Sequence, residues 1–136
     1  MNKGGFEEVD HTADWSIRVW GSDMEELLRQ AAKGMLQLLN ARPEEGQGNW
    51  LDIDIEAEDP EELMVSWLEE LLFLHETKHI TFLEFDFRSV GEKHLSAAAK
   101  SAPSKRPDKH IKAVTFHNMD IIEKDGNIET EIVFDV

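Results

Sequence analysis

The sequence predicts an α+β fold, a two-layer single domain in which two helices pack on a mixed or antiparallel sheet. Two segments place apolar side chains at helical spacing, and seven shorter segments read as strands, most of them by alternation of apolar and polar residues. Most of the strands follow the second helix, which gives the order β-α-β-α-β-β-β-β-β. The 136 residues suit one domain over 1–136.

The first strand and helix are predicted because apolar residues recur first at every second position and then at helical spacing. Side chains alternate along residues 15–20, with Trp15, Ile17 and Val19 on one face, which predicts a half-buried strand. Ser22 and Glu25 then form a capping-box pattern. Apolar residues recur at helical spacing after it, so we expect an amphipathic helix over 23–39.

The second helix follows an acidic strand. Residues 51–57 alternate apolar side chains with Asp and Glu, which predicts a strand with an acidic outer face. Asp59 and Pro60 then supply an N-cap and a proline at the first helical position. The helix is expected to end near Lys78.

The remainder of the chain is predicted to be strands joined by turns. The Asp-Gly pair within 124–127 is typical of a tight β-hairpin, and the two prolines within 101–109 indicate a loop. The expected strands cover 80–90, 95–99, 111–116, 119–123 and 128–134.

Composition excludes several classes of function. Acids outnumber bases by 29 to 14, giving a formal charge of −15, which argues against direct binding to nucleic acid. The absence of cysteine excludes thiol catalysis and cysteine-ligated zinc. No apolar run approaches the ~20 residues of a membrane span, and no leader pattern opens the sequence. We therefore expect a cytoplasmic protein with no membrane partner.

Three segments carry residues that could support chemistry. Asp10, His11 and Asp14 could ligate a metal, or they could form a turn that bonds to its own backbone. Asp135 and Val136 offer a carboxylate, a carbonyl and a terminal carboxylate, ligands that Ca²⁺, Mg²⁺ or Mn²⁺ prefer. The alternative there is an acidic end without a role.

The third segment runs from Lys112 to His117. Lys112 could bind phosphate or orient a carboxylate, although a solvated strand residue is the simpler interpretation. His117 could be a ligand or a base. No phosphate-binding loop, dinucleotide fingerprint or nucleophile motif is present, so no catalytic residue is predicted.

Taken together, these segments resemble the archease family. The resemblance is carried, in order, by His-Thr-Ala-Asp at 11–14, Glu-Glu-Leu at 25–27, the helical run at 63–73, Lys-Ala-Val-Thr at 112–115 and an Asp one residue from the end. The likeness extends nearly over the whole chain.

The resemblance implies an accessory protein and not an enzyme. Archeases assist the tRNA-splicing RNA ligase, which joins RNA ends that carry a 3′-phosphate, by promoting its guanylylation and multiple turnover. The resemblance further implies a divalent metal held by Asp14, Asp135 and a main-chain oxygen of Val136. Four further residues are candidates for contacts around the metal ligands or with the partner protein: Asp10, His11, Lys112 and His117.

One segment departs from the family pattern. Archeases usually carry Gly-Glu before the loop that leads to Lys-Ala-Val-Thr, whereas residues 98–109 here lack that carboxylate and add bases. Two other functions remain open. A general chaperone or modulator of protein function would expose a large apolar patch, and a metal-dependent hydrolase would need a base near Asp14 and Asp135.

Overall fold

A computed structural model describes residues 4–9, 15–105, 110–117 and 119–136. The α+β class and the order of the predicted elements are confirmed, and one further strand precedes them. The elements are β1 (Gly4–Val9), β2 (Trp15–Gly21), α1 (Met24–Leu38), β3 (Trp50–Glu56), α2 (Pro60–Lys78), β4 (Ile80–Val90), β5 (His94–Pro103), β6 (Ala113–Thr115), β7 (Ile122–Lys124) and β8 (Asn127–Asp135).

Strand β1 is the element that no sequence pattern predicted. It opens with two glycines, which weaken a strand because they bring no side chain to pack. Pairing with β2 overrides that preference, since Gly5 lies opposite Trp20. A Cβ on Gly5 would stand 2.7 Å from Cζ2 of Trp20, so the glycine leaves room for the indole ring.

Each helix has an aspartate as its N-cap. Asp59 caps α2, as predicted, and accepts a hydrogen bond from Glu62 N–H at 2.7 Å. The predicted cap of α1 was wrong by one residue, because Asp23 and not Ser22 accepts from Glu26 N–H, at 2.9 Å. Within the described residues, neither helix combines the length and the apolar character needed to cross a membrane.

The strands form two antiparallel sheets. The five-stranded sheet has the order β1-β2-β8-β6, with β7 also paired to β8. The three-stranded sheet has the order β3-β5-β4. Strand β8 is therefore the central strand of the larger sheet, with β2 on one side and the two short strands on the other.

Strand β5 is longer than predicted. Residues 101–103 were assigned to a loop, yet they continue the strand as far as Pro103. Its alanines lie between β3 and β4, and Ala97 and Ala99 are fully buried. Pairing on both sides and burial of one face decide this strand, which intrinsic preference alone would not.

The helices and both sheets share one hydrophobic core. Trp67 of α2 is fully buried, and its Nε1 donates to the carbonyl of Leu28 in α1 at 3.0 Å. Phe85 and Phe87 of β4 approach the same indole, with ring centroids 5.5 and 5.3 Å away. One tryptophan thus connects both helices with the smaller sheet, and its burial satisfies its polar atom.

The predicted hairpin joins β7 to β8. Asp125 and Gly126 occupy its turn with φ of 52° and 82°. Two consecutive positive φ values are typical of the type I′ turn, whose twist matches that of the strands. Register then follows from the turn, with Lys124 opposite Asn127.

Candidate metal and partner site

Three distant segments of the sequence meet beside the end of β8. Trp15, the first residue of β2, lies opposite Phe134. Val114 of β6 lies opposite the same residue on its other side. Because both pairs are antiparallel, the beginning of β2 and the beginning of β6 flank the end of β8. The sheet therefore collects the segments at 15, 112–115 and 134–136 at one end.

Asp135 is the last residue of β8, and its side chain is exposed. It lies opposite Ala113, and its carbonyl oxygen accepts a hydrogen bond from Lys112 N–H at 2.8 Å. Val136 follows with 36% of its surface exposed. The main chain is thus held by β6 while the carboxylate faces solvent.

The other predicted ligands lie outside the described residues. These are Asp10, His11 and Asp14. Asp14 directly precedes Trp15 in the sequence, and Trp15 pairs with the residue before Asp135. Among the residues that the structure describes, no three His, Asp or Glu side chains lie close enough together to hold a metal ion.

Lys112 and His117 are placed differently. Lys112 is exposed and adjoins Asp135 through the main-chain hydrogen bond. His117 lies two residues beyond the far end of β6, since Ala113 is opposite Asp135 and the strand runs away from it. Thr115, the last residue of β6, already lies opposite Val133, two residues before Asp135. The structure brings Lys112 to the end of β8 and does not bring His117 there.

Two glutamates of α2 contribute contacts that no sequence pattern predicted. Oε1 of Glu69 accepts a hydrogen bond from Val114 N–H at 3.4 Å, and Oε2 of Glu61 accepts from Ile121 N–H at 2.9 Å. They hold the segment that carries Lys112 against the helix. Helical spacing placed both on the polar face of α2, but nothing in the sequence indicated backbone partners 45 and 60 residues away.

A separate polar network covers the outer face of the larger sheet. Arg18 of β2 donates to Glu129 of β8 at 3.1 Å and to Glu7 of β1 at 3.0 Å. The hydrogen bond to Glu129, followed by that to Glu7, raises the pKa of Arg18 above its ordinary value. The guanidinium also lies 5.3 Å from the ring of Trp20. These pairs join three strands of the larger sheet.

Solved structures share this arrangement of two helices and two antiparallel sheets. The solution structure of protein 1598 from Methanobacterium thermoautotrophicum is 31% identical, with a TM-score of 0.69, and the match covers 97% of this chain and 99% of that one. The crystal structure of an archease from Thermotoga maritima, described as a possible chaperone, gives a TM-score of 0.71 over 96% of each chain. At 19% identity the second likeness concerns the fold alone.

Sequence comparison defines the family. Residues 6–136 match the model of the archease protein family (MTH1598/TM1083). Protein archease of Methanopyrus kandleri is 36% identical over 96% of this chain and 99% of its own length. That of Methanothermobacter thermautotrophicus is 34% identical over 97% and 99%. The chain belongs to the archease family.

Proposed function

We propose that the protein is a metal-binding accessory factor that activates the tRNA-splicing RNA ligase by promoting its guanylylation and multiple turnover. Membership of the archease family supports the proposal. The observation that carries it is the meeting of the beginning of β2, the beginning of β6 and the end of β8. These are three of the segments in which the sequence resembles archeases.

Asp14, Asp135 and a main-chain oxygen of Val136 would hold the ion in this proposal. The chemistry of the donors fits a hard cation, since the described part of the set offers the exposed carboxylate of Asp135 and main-chain oxygen, without sulfur or imidazole. A bound Ca²⁺, Mg²⁺ or Mn²⁺ would supply positive charge on a chain whose formal charge is −15. Lys112 adjoins this point and is the candidate contact to the ligase.

The proposed role is exerted through a protein and not by direct chemistry on RNA. A formal charge of −15 opposes binding to a phosphate backbone. His117, a candidate base, follows the end of β6 that is farther from Asp135. We propose that the protein works in the cytoplasm, is not itself an enzyme and has the RNA ligase as its partner.

A guanylylation assay tests the proposal. The cognate ligase, purified and supplied with GTP and metal, is followed with and without this protein, first with EDTA and then after Mn²⁺ is restored. We expect a faster covalent step with the protein, loss of that gain in EDTA, and little gain from Asp14→Asn or Asp135→Asn. Asp125→Asn is the matched control, because asparagine also tolerates the positive φ of that exposed turn. Identical ligase rates with and without the protein would refute the proposal.

A general chaperone is the second candidate function. It is favoured by the large apolar side chains that stay exposed, among them Phe73 at 58% and Phe116 at 56%. It predicts that the protein suppresses aggregation of several unrelated unfolded proteins with or without EDTA. Activity restricted to the ligase would exclude it.

A further inference from the structure

Strand β3 is an edge strand with a regular row of backbone groups directed away from its sheet. Its only partner among the described strands is β5. Asn49 accepts a hydrogen bond from Ser101 N–H at 2.8 Å, and Ala57 donates to the carbonyl of Lys93 at the same distance. Antiparallel hydrogen bonding alternates along a strand, so residues 51, 53 and 55 also bond to β5. Residues 52, 54 and 56 therefore direct their N–H and C=O groups outward.

The outward edge of β3 borders a groove beside α2. The groove has a volume of about 510 Å³. Residues 52–56 form one wall, and Ser66 and Glu70 of α2, one helical turn apart, contribute the other. An extended segment placed there would meet α2 with one set of alternate side chains and solvent with the other set.

Four of the seven residues that line the groove are acidic. Asp52, Asp54, Glu56 and Glu70 line it, and residues 44–76 contain twelve acids and no lysine or arginine. Asp52 is paired with Arg88 at 2.6 Å. Within the described residues, no ion pair reaches the other three carboxylates. The negative charge facing the groove is therefore largely uncompensated.

Two other sheet edges among the described strands, those of β6 and β4, are covered or irregular. The outer side of β6 is occupied by Glu69, which accepts from Val114 N–H. Strand β4 has two irregularities in its pairing with β5, one between Phe82 and Glu84 and one between Phe87 and Ser89. Such bulges bend an edge and prevent it from adding another strand. Strand β3 keeps one unbroken register from Trp50 to Glu56.

We propose that the groove between β3 and α2 binds an extended basic segment of a partner protein, which joins the sheet as a fourth strand beside β3. Backbone hydrogen bonds to residues 52, 54 and 56 supply the attachment. Lysine or arginine at alternate positions faces Asp54 and Glu56 on the outer side or Glu70 on the helix side. The charge selects this occupant, because a second copy of the chain would bring acids against acids along the same edge.

The inference goes beyond the proposed function, since it involves neither the end of β8 nor a metal. Its test uses the whole protein in EDTA, with a labelled peptide of roughly nine residues in which lysine alternates with valine. Amide hydrogen exchange across the protein and the anisotropy of the peptide are measured. We expect binding that slows exchange at residues 52, 54 and 56 at least fivefold. A glutamate–valine peptide should not bind.

Two variants and one modified peptide separate strand addition from charge attraction. Asp54→Asn keeps the N–H and should weaken binding by about two- to fivefold, as expected for one exposed ion pair. Asp54→Pro removes the outward N–H as well and should weaken it by about tenfold or more. Asp86→Asn, an exposed acid of β4 in the same sheet, is the matched control and should bind as the native protein does.

A lysine–valine peptide with every backbone amide methylated keeps its charge but cannot donate to β3. It leaves the protein unaltered, so it decides the matter even if Asp54→Pro folds poorly. Loss of exchange protection with this peptide supports strand addition, whereas equal protection would overturn it. Protection confined to other strands would also overturn the proposal. Protection of residues 52–56 in concentrated protein alone would assign the edge to a second copy instead.

Discussion

Helix α2 lies between the edge of β6 and the edge of β3, and it covers only the first. On one side Glu69 accepts the N–H of Val114, so a side chain of the helix closes the edge of β6. On the other side Glu70, the next residue, lines an open groove beside β3. Two adjacent glutamates thus have opposite consequences, because successive residues of a helix point about 100° apart.

The comparison separates two kinds of site. The groove at β3 is built from residues 52–70, a nearly continuous stretch of the sequence. The site at the end of β8 combines the beginning of β2 with residues more than 95 positions later. A local site can be recognised as a pattern, whereas a site of distant segments exists only after the sheet has formed.

Proline substitution should give the largest effect, a difference in free energy of unfolding between the central strand β8 and the edge strand β3. Val133 lies in β8 between Ser16 and Thr115, and it is 4% exposed. Val133→Pro removes a ladder hydrogen bond and buried packing, so we expect the free energy of unfolding to fall by about 3 kcal/mol or more. Asp54→Pro, at the free edge, should cost about 1 kcal/mol or less. Urea unfolding of both variants measures the contrast, and equal losses would mean that β3 is not a free edge.

Removal of Asp135 and Val136 should have the next largest effect, on metal binding. The deletion removes two of the three proposed ligands and should reduce Mn²⁺ affinity by at least tenfold, since hard-cation sites depend on ligand number and charge. Its cost in stability is small, about 1 kcal/mol, because one hydrogen bond to Lys112 N–H is lost. Calorimetric titration of Mn²⁺ into native and deleted protein measures the difference. Equal affinities would show that these two residues are no part of a metal site.

Lys112→Ala tests the partner contact beside the end of β8. The side chain is exposed and makes no ion pair with the described residues, so the free energy of unfolding should change by no more than ~0.5 kcal/mol. Ligase guanylylation should nevertheless slow severalfold, because the proposed contact to the ligase is lost. Lys124→Ala, in the hairpin at the other end of β8, is the control. Full activation by Lys112→Ala would exclude that contact.

The smallest expected effect concerns Glu26 in α1. Burial raises the pKa of Glu26, but hydrogen bonds from Gln30 and Arg29 outweigh it and hold the pKa below its ordinary value of 4.5. A lowered pKa in the folded state contributes stability above the unfolded pKa, and this is lost as pH falls through the folded one. Glu26→Gln should therefore unfold more easily by a few tenths of a kcal/mol at pH 7, and the difference should shrink below pH 4. A difference independent of pH would exclude the linkage.

Much of the fold follows from the sequence because its cues are local. The Asp-Pro pair at 59–60 begins α2, and Asp-Gly at 125–126 forms the hairpin turn. Strand β1 and the far half of β5 could not be predicted in this way. Two glycines disfavour a strand at β1, and the prolines within 101–109 indicated a loop at the end of β5, but pairing with β2 in one case and with β4 in the other decides the structure.

For the candidate sites, too, some features could be predicted from the sequence and others depend on the tertiary structure. Asp135 and Lys112 were candidates by residue type and position, resemblance to a family implied their roles, and the register of β6 and β8 shows that the two segments are adjacent. The backbone contact of Glu69 could not be predicted, because it depends on how α2 lies against β6. The acidic strand at 51–57 was evident from alternation, but its free edge became apparent only with the order of the strands.

The central position of β8 also governs when the protein can fold. Strand β2 finds its second partner, β8, only after residues 128–134 have been made, so the larger sheet closes a loop of more than 100 residues. Contacts of such separation slow folding, because the entropy of closing the loop is lost before the pairing compensates for it. While the chain emerges from the ribosome, β1 and β2 can pair with each other, but one edge of β2 stays open until the last strand arrives. A nascent chain stalled before β8 therefore exposes the unpaired edge of β2, and the arrival of β8 is the step that completes the larger sheet.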